Sequence, residues 1–220
     1  MSFTKRNYVS LLFVVFTFVF ASSITAFAQE PEAAAPAATT ATATVATPNV
    51  SEVTIKNFGQ MDERFFRGGQ PKEKQYKELQ ALGIKTIIDL RDDPEEYEKR
   101  EAEALGMRYV HLPMIAKKYP KAETVEEFLK LVDDPSTGKF FLHCAGGRHR
   151  TGVLGAVYRF NHYKWNFDQV YSEMKKYDFY TRWGHGDFKK FVEDYAEEMQ
   201  SRATTTTTAA AGATTTGNKQ

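Results

Sequence analysis

One stretch organises the chain: Lys139-Phe140-Phe141-Leu142-His143-Cys144-Ala145-Gly146-Gly147-Arg148-His149-Arg150-Thr151. Its first four residues form a short apolar run rich in aromatic side chains, which predicts a buried strand. From Thr151 onward, apolar residues recur at helical spacing, which predicts a helix that packs one face inward. A strand, a glycine-containing loop and a helix N-terminus together direct backbone N–H groups and the positive end of the helix dipole at an anion.

Cys144, the only cysteine in the chain, lies at the start of this loop, and Arg150 follows six residues later. The thiolate is the reactive form of cysteine, and basic neighbours or a helix N-terminus lower its pKa. Gly146 and Gly147 allow successive backbone N–H groups to turn toward one point and form an anion-binding nest. The planar arginine fork grips two phosphate oxygens at once. The spacing predicts a phosphate site with a thiolate nucleophile, although a lone cysteine without such neighbours is more often a small buried residue.

The pattern His143-Cys144-x-x-Gly147-x-x-Arg150-Thr151 resembles the signature loop of the cysteine-dependent protein tyrosine phosphatases, in particular their dual-specificity branch. Two further segments, Phe66–Pro71 and Asp89–Arg91, are similar to the small bacterial members, so the resemblance covers most of residues 60–165. Rhodanese-type sulfurtransferases and low-molecular-weight phosphatases share parts of the pattern, but they differ in loop length or in the position of the loop along the chain.

The resemblance implies a role for each residue of the loop. Cys144 would attack phosphorus and carry a phosphocysteine intermediate, and Arg150 would bind the equatorial oxygens. Thr151 would hydrogen-bond the thiolate and help it leave, and His143 would hold the loop and tune the Cys144 pKa. The phosphate-binding positions are Ala145, Gly146, Gly147, Arg148, His149 and Arg150.

The proton donor for the leaving oxygen is missing from its expected place. The resemblance implies an aspartate near residues 115–116, but residues 113–120 contain no Asp or Glu. Three explanations stay open. Another carboxylate acts as the acid, with Asp92, Asp93 and Glu123 as candidates; the leaving group needs little protonation; or the chain is a pseudophosphatase that binds phosphorylated partners without efficient turnover. General acid catalysis typically raises the rate by about 10²–10⁴-fold. The second explanation therefore suits a phosphoanhydride, whose leaving group needs little protonation.

The basic character of the loop bears on the substrate. Arg148-His149-Arg150 is similar to a run in atypical plant and fungal dual-specificity phosphatases that act on inositol pyrophosphates, and Lys117 and Lys118 add charge nearby. The expected substrate is therefore a phosphorylated protein or an inositol phosphate, although ordinary surface charge would also explain the lysines. No set of His, Cys and Asp residues has metal-ligand spacing, so we expect neither a metal nor a cofactor.

The ends of the chain predict export. Lys5 and Arg6 precede an apolar stretch over residues 8–20, and Ala26-Phe27-Ala28 supplies a small-residue cleavage site, which together are typical of a secretory signal peptide over residues 1–28. The stretch is shorter than the ~20 residues that span a bilayer, so we favour a cleaved signal peptide over a membrane anchor. We therefore expect a periplasmic or secreted protein with no stable membrane span. Residues 29–50 and 203–220 are rich in Ala and Thr and are predicted to be a disordered linker and tail.

The remaining residues, 51–202, suit one domain with a single core. Predicted strands alternate with helices, which indicates an α/β fold with a mostly parallel sheet and ligands at the carboxyl ends of its strands. Asp93 before Pro94 predicts one helix start, and Thr124-x-x-Glu127 predicts another. The net charge of +1 leaves no broad basic surface, so nucleic-acid binding is not expected. Nothing in the sequence indicates the oligomeric state.

Overall fold

The computed structural model describes residues 49–214, with side chains as far as residue 205. The predicted signal peptide and residues 29–48 of the predicted linker lie outside this range. Along the described part of the chain, no helix is both long enough and apolar enough to cross a membrane.

Five strands form one sheet in the order β1-β2-β5-β3-β4, and all neighbours are parallel except β1 and β2. The strands are β1 Gly59–Gln60, β2 Phe65–Gly69, β3 Thr86–Asp89, β4 Arg108–His111 and β5 Phe140–Cys144. The α-helices are α1 Tyr76–Ala81, α2 Glu96–Ala104, α3 Ala122–Asp133, α4 Arg150–Tyr158, α5 Phe167–Lys176 and α6 Gly186–Thr214. The predicted α/β fold with a mostly parallel sheet is confirmed.

The central strand β5 separates two hydrophobic clusters. Phe140, Leu142 and Cys144 belong to the cluster that α3, α4, α5 and α6 cover, whereas Phe141 belongs to the cluster that α1 and α2 cover. This division follows the period of two of a strand, whose successive side chains point to opposite faces. The apolar run in the sequence is therefore continuous because both faces of the strand are buried.

Helices α1 and α2 end at glycines, but α2 and α3 begin elsewhere than the sequence predicts. Gly83 and Gly106 follow α1 and α2 with φ angles of 78° and 74°, a conformation that suits glycine. Asp93 does not cap α2, which begins at Glu96, because its carboxylate is bound to Arg91 instead. Thr124 does not cap α3 either, since Lys121 is the last extended residue and the helix begins at Ala122.

The last helix continues into the predicted tail. The sequence predicts disorder from residue 203, yet α6 runs to Thr214. The hydroxyl groups of Thr204 and Thr205 donate to the carbonyl oxygens of Gln200 and Ser201, one turn earlier. Extending an existing helix by one residue avoids the cost of nucleation, so a polar threonine run can follow a packed helix in the same conformation. Residues 215–220 lie outside the described range.

Candidate active site

The loop over residues 145–149 joins the carboxyl end of β5 to the N-terminus of α4, and it lies where the parallel strands β2, β3 and β5 end. This is the predicted edge of the sheet for a ligand. Cys144 is the last residue of β5, and Arg150 is the first residue of α4. The structure thus brings the two ends of the motif to the two sides of one turn.

Gly147 is locked against the end of β2. Its φ angle is +66°, and a Cβ atom there would lie 2.4 Å from the carbonyl carbon of Gly68 and 2.5 Å from the amide nitrogen of Gly69. The carbonyl oxygen of Gly147 accepts hydrogen bonds from the Arg67 guanidinium (2.6 Å) and the Asn57 amide (3.0 Å). A non-glycine residue would have both an unfavourable φ and a backbone clash, which explains this glycine and also fixes the shape of the loop.

Cys144 is only 4% exposed and faces the cavity described below. Burial alone would raise the pKa of its thiol. The nearby Thr151 side chain and backbone, together with the charge of Arg150, stabilise the thiolate, outweigh burial and lower the pKa of the thiol below its ordinary value. The surroundings therefore favour a thiolate, as the sequence predicts from basic neighbours and a helix N-terminus.

Arg150 is buried and held from three directions. Its Nη1 atom donates to the carbonyl oxygens of Leu90 (3.3 Å) and Met114 (3.1 Å) and to the carboxylate of Asp92 at 2.5 Å. Asp92 also accepts a hydrogen bond from the amide of Ala116 at 3.4 Å. Thus Asp92 ties the arginine of the signature loop to the segment that follows β4.

The three candidate acids are in different surroundings. Partial burial raises the pKa of Asp92, but its own backbone amide and Arg150 hydrogen-bond the carboxylate and bring the pKa below its ordinary value. Asp92 is therefore ionised at neutral pH and suited to hold Arg150. Asp93 binds Arg91, and Glu123 is exposed in the first turn of α3.

A cavity of about 230 Å³ opens at the thiol. Basic and aromatic side chains dominate its wall, and none of the described residues that line it carries a carboxylate. The lining residues are Ala116, Lys117, Cys144, Ala145, Gly146, Arg148, His149, Arg150, Tyr180, His185 and Phe188. The last three come from the segment after α5, which sequence reasoning did not connect with the site. No spacing rule could have found them, because this wall is assembled only when α6 packs against α4.

His149 and Arg148 are already engaged within the wall. The His149 ring stacks on His185 with centroids 3.6 Å apart, and one of its nitrogens lies 3.1 Å from the carbonyl oxygen of Tyr180. Burial and the nearby His185 lower the pKa of His149 to about 4, so its ring is neutral at neutral pH. The Arg148 guanidinium lies 3.4 Å from the carboxylate of Asp178. Lys117 and Arg150 complete the basic part of the lining, and Arg150 is paired with Asp92 as described above.

His143 lies on the opposite face of β5 from Cys144, in a buried polar cluster. Its Nε2 atom is 3.2 Å from Glu98, and its Nδ1 atom is 3.7 Å from Asp89. Three ligand atoms of these residues lie within 4.8 Å of one another, so the cluster could hold a metal ion although its members are far apart in sequence. The carboxylates already accept hydrogen bonds from protein donors, and Arg91 lies beside Glu98 at 3.7 Å. The two carboxylates therefore belong to a network of hydrogen bonds with protein donors, whereas neither ring nitrogen of His143 has a hydrogen-bond partner among the described residues.

Comparison with known proteins places these features in a family. A family model described as "DSP-PTPase phosphatase fused to NAD+ Kinase" matches residues 41–194. A probable tyrosine-protein phosphatase, DG1060 of Dictyostelium discoideum, is 31% identical over 127 residues, which are 55% of this chain and 75% of the relative. The inositol diphosphatase DSP4 of Arabidopsis thaliana is 28% identical over 127 residues, 55% of this chain and 63% of the relative.

One solved structure has a similar fold. The core catalytic domain of the PP-IP phosphatase SIW14 from S. cerevisiae, solved in complex with citrate, superposes with a TM-score of 0.57 and 20% identity, over 70% of this chain and 94% of that one. At this identity the superposition shows a likeness of fold.

Proposed function

This chain belongs to the DSP-PTPase phosphatase family, and we propose that it hydrolyses phosphate monoesters through a phosphocysteine formed on Cys144. The observation that carries the proposal is the cavity at the Cys144 thiol, with Arg150 beside it and no carboxylate in its described lining. A phosphate dianion would be repelled by carboxylates, and it is attracted by arginine and by backbone amides at a helix N-terminus.

The proposed reaction has two displacements. The Cys144 thiolate attacks phosphorus, an S–P bond forms, and the ester P–O bond breaks as the leaving oxygen takes its electron pair. Water then attacks phosphorus, the S–P bond breaks, inorganic phosphate is released and the thiolate returns. Arg150 and the amides of residues 145–149 bind the non-bridging oxygens throughout, and Thr151 stabilises the thiolate as it leaves.

The leaving oxygen receives little help from carboxylates. Asp92 is ionised and bound to Arg150, so in this arrangement it positions the arginine and has no proton to give. His185 lines the cavity, and its Nδ1 atom lies 3.0 Å from the carbonyl oxygen of Arg182, which leaves Nε2 as the nitrogen available to a substrate. The His185 imidazole is thus the side chain that we propose as proton donor in place of an aspartate.

Within this proposal, substrates with several phosphates form a second candidate class beside phosphoproteins. Lys117 and Arg148 line the cavity with Arg150, and they would bind phosphates beyond the one that reacts. A phosphoanhydride also needs less protonation of its leaving group than an ester, which suits a site without a carboxylic acid. The relatives named above include a tyrosine phosphatase and an inositol diphosphatase, which supports both classes.

Catalysis is favoured over phosphate binding without turnover. Cys144 has a lowered pKa and Arg150 is held at the same cavity, as the chemical step requires.

We further propose that the protein is exported to the periplasm or the medium, on the strength of the amino-terminal sequence. Fractionation of cells that express the full chain, with mass spectrometry of the new amino-terminus, tests export; a protein that stays in the cytoplasm with residues 1–28 attached would contradict it.

The enzymatic proposal is tested with the purified protein and two matched variants. Cys144→Ser removes the nucleophile and Arg150→Lys keeps the charge but loses the planar fork, so we expect losses in kcat/KM of at least about 10³-fold and about 10²-fold respectively. Substrates are an aryl phosphate, a phosphotyrosine peptide and a pyrophosphorylated inositol, and acid quenching with labelled substrate traps the phosphoenzyme. Equal turnover by wild type and Cys144→Ser on all three would refute the proposal.

A further inference from the structure

The carbonyl groups of the signature loop are held by donors on β2 and beside it. The Gly147 carbonyl oxygen accepts hydrogen bonds from the Arg67 guanidinium (2.6 Å) and from the Asn57 side-chain amide (3.0 Å). The two preceding carbonyl groups, of residues 145 and 146, are held as well, by the Gln70 backbone amide (3.4 Å) and by Asn57 (3.5 Å). Three consecutive carbonyl groups of the loop therefore point toward the end of β2.

This arrangement determines where the amide groups of the loop point. All peptide bonds of the described residues are trans, and in a planar trans peptide the N–H group points opposite to the carbonyl group. The amides of Gly146, Gly147 and Arg148 are therefore directed away from β2. The cavity lies on that side, since Gly146 and Arg148 line it and the donors on β2 do not.

Two observations agree with this orientation. The Gly146 amide is among the groups that stabilise the Cys144 thiolate at the cavity. The amides of Gly147 and Arg148 donate to no acceptor in the part of the chain that the structure describes. Both amides are thus available to an anion that binds in the cavity.

Arg67 differs from the other buried arginines in its lack of an acidic partner. The buried arginines of the described residues are Arg67, Arg91, Arg150 and Arg159. The last three each form an ion pair with a carboxylate, whereas within the described residues none is formed by Arg67. Its guanidinium lies over the Tyr177 ring, 4.0 Å from the centroid. A buried cation without a carboxylate is costly, so stability alone does not explain Arg67.

The charged groups around Arg67 connect it to the cavity. Burial lowers the pKa of Arg67 to about 10, against the opposing effects of Tyr177, Cys144 and Glu173, so the guanidinium is charged at neutral pH. Glu173 is already bound to Arg159 through two nitrogens. Burial raises the pKa of Tyr177, so its hydroxyl is neutral at neutral pH. The positive charge of Arg67 is therefore left to act on anions at the cavity.

We propose that Arg67 is a positioning residue of the phosphate site: it holds the Gly147 carbonyl beneath the loop, so that the Arg148 amide faces the anion, and it places a buried positive charge behind that anion. Arg150 would bind the phosphate directly, whereas Arg67 acts through the loop. This inference rests on the phosphate site proposed above, and phosphate binding tests it without any need for turnover.

The test compares two substitutions of Arg67 that differ in charge. Arg67→Met keeps a long unbranched side chain but removes the charge and the donor to Gly147, so we expect the Kd for inorganic phosphate at pH 7 to rise at least about tenfold. Arg67→Lys retains a cation that can donate to the same carbonyl oxygen, although without the planar fork. Its Kd should therefore rise by less than about threefold.

Arg64→Met is the matched control. Arg64 directly precedes β2 and donates to the carbonyl oxygens of Val132 and Gly138, both at 3.3 Å, but it lies at the opposite end of the strand from the loop. Its Kd should stay within about twofold of wild type, because substitutions at distant sites act independently. Wild-type affinity in Arg67→Met, or an equal loss in Arg67→Met and either Arg67→Lys or Arg64→Met, would overturn the proposal.

Titration of the isotope-labelled wild type with inorganic phosphate gives a result even if a variant fails to fold. The Arg148 amide proton should move downfield as phosphate binds, because it donates to the anion, and the Arg67 guanidinium signals should change with the same Kd. A wild type that binds no phosphate, or that binds it with the Arg148 amide unchanged, would overturn this inference. Binding with the expected shifts but without hydrolysis of any substrate would count against the proposed function alone.

Discussion

Replacing Gly147 by alanine should displace the signature loop, and its glycine neighbour provides the comparison. The new Cβ atom at this position would lie 2.4 Å from the carbonyl carbon of Gly68 and 2.5 Å from the Gly69 amide nitrogen, both backbone atoms that cannot rotate away. The φ angle of +66° adds its own penalty. At Gly146, two residues after Cys144, the nearest atoms to a new Cβ are in the flexible Arg148 side chain at 3.9 Å.

The size of the effect follows from these two terms. A left-handed backbone costs a non-glycine residue about 1–2 kcal/mol, and a methyl group forced into packed surroundings costs about 1–3 kcal/mol. Together they predict a loss of about 3 kcal/mol for Gly147→Ala, or roughly 6–12 °C in the melting temperature of a domain of this size. Gly146→Ala should change the free energy of unfolding by less than about 0.5 kcal/mol.

Function should respond as well as stability. A shift of the loop by about 1 Å would misplace the amides proposed to bind phosphate, which should cost about 10²-fold in kcat/KM. The assay combines differential scanning calorimetry, titration with inorganic phosphate and kcat/KM on an aryl phosphate for wild type, Gly147→Ala and Gly146→Ala. If both variants kept the melting temperature and phosphate affinity of the wild type, the packing of the loop on β2 would not have the role inferred here.

Three further predictions concern charged groups. In the buried pair of Arg159 and Glu173, two guanidinium nitrogens contact the carboxylate at 2.7 and 3.0 Å. Glu173→Ala breaks this pair and should lower the free energy of unfolding, measured with urea, by about 2–3 kcal/mol. A loss under about 0.5 kcal/mol, the size of an ordinary surface substitution, would contradict this. Asp92→Asn should lower kcat/KM about tenfold for aryl and alkyl phosphates alike, because Arg150 loses its charged partner; a loss confined to alkyl phosphates would identify Asp92 as the proton donor. Because the pKa of Glu98 is raised to about 7 from an ordinary 4.5, the wild type should lose about 3 kcal/mol of stability relative to Glu98→Gln as pH rises from 4.5 through 7; urea titrations at pH 4.5, 6 and 8 that show a constant difference would refute it.

Most of the fold could be predicted from local patterns. The aromatic run at 140–142 and the helical spacing after Thr151 predict β5 and α4, and both lie where expected. The first residues of the helices were harder to predict. Asp93 has a side chain that often caps a helix N-terminus, but its carboxylate binds Arg91 instead. Capping preferences act over a few residues and are worth about 1 kcal/mol, so a competing charge can override them.

The residues of the candidate site also fall into two groups, those that the sequence identifies and those that it does not. Cys144, Gly147 and Arg150 could be identified because their chemistry depends on spacing within one short loop. The wall formed by Tyr180 and His185 could not, because the residues that meet there are far apart in the chain: His149 contacts Tyr180 across 31 positions.

By itself, the amino-acid sequence determined the strand–loop–helix proposed to bind phosphate and the α/β order of elements, since both depend on short-range spacing and on the period of apolar residues. Tertiary structure alone decided the surroundings that control this loop. Asp92 reaches Arg150 across 58 positions, and Glu98 reaches His143 only after α2 packs on the sheet. Burial, which sets the charge of such groups, is a property of the packed molecule. The proposed nucleophile can therefore be identified in the chain, whereas the protonation state of the residues behind it is decided only in the fold.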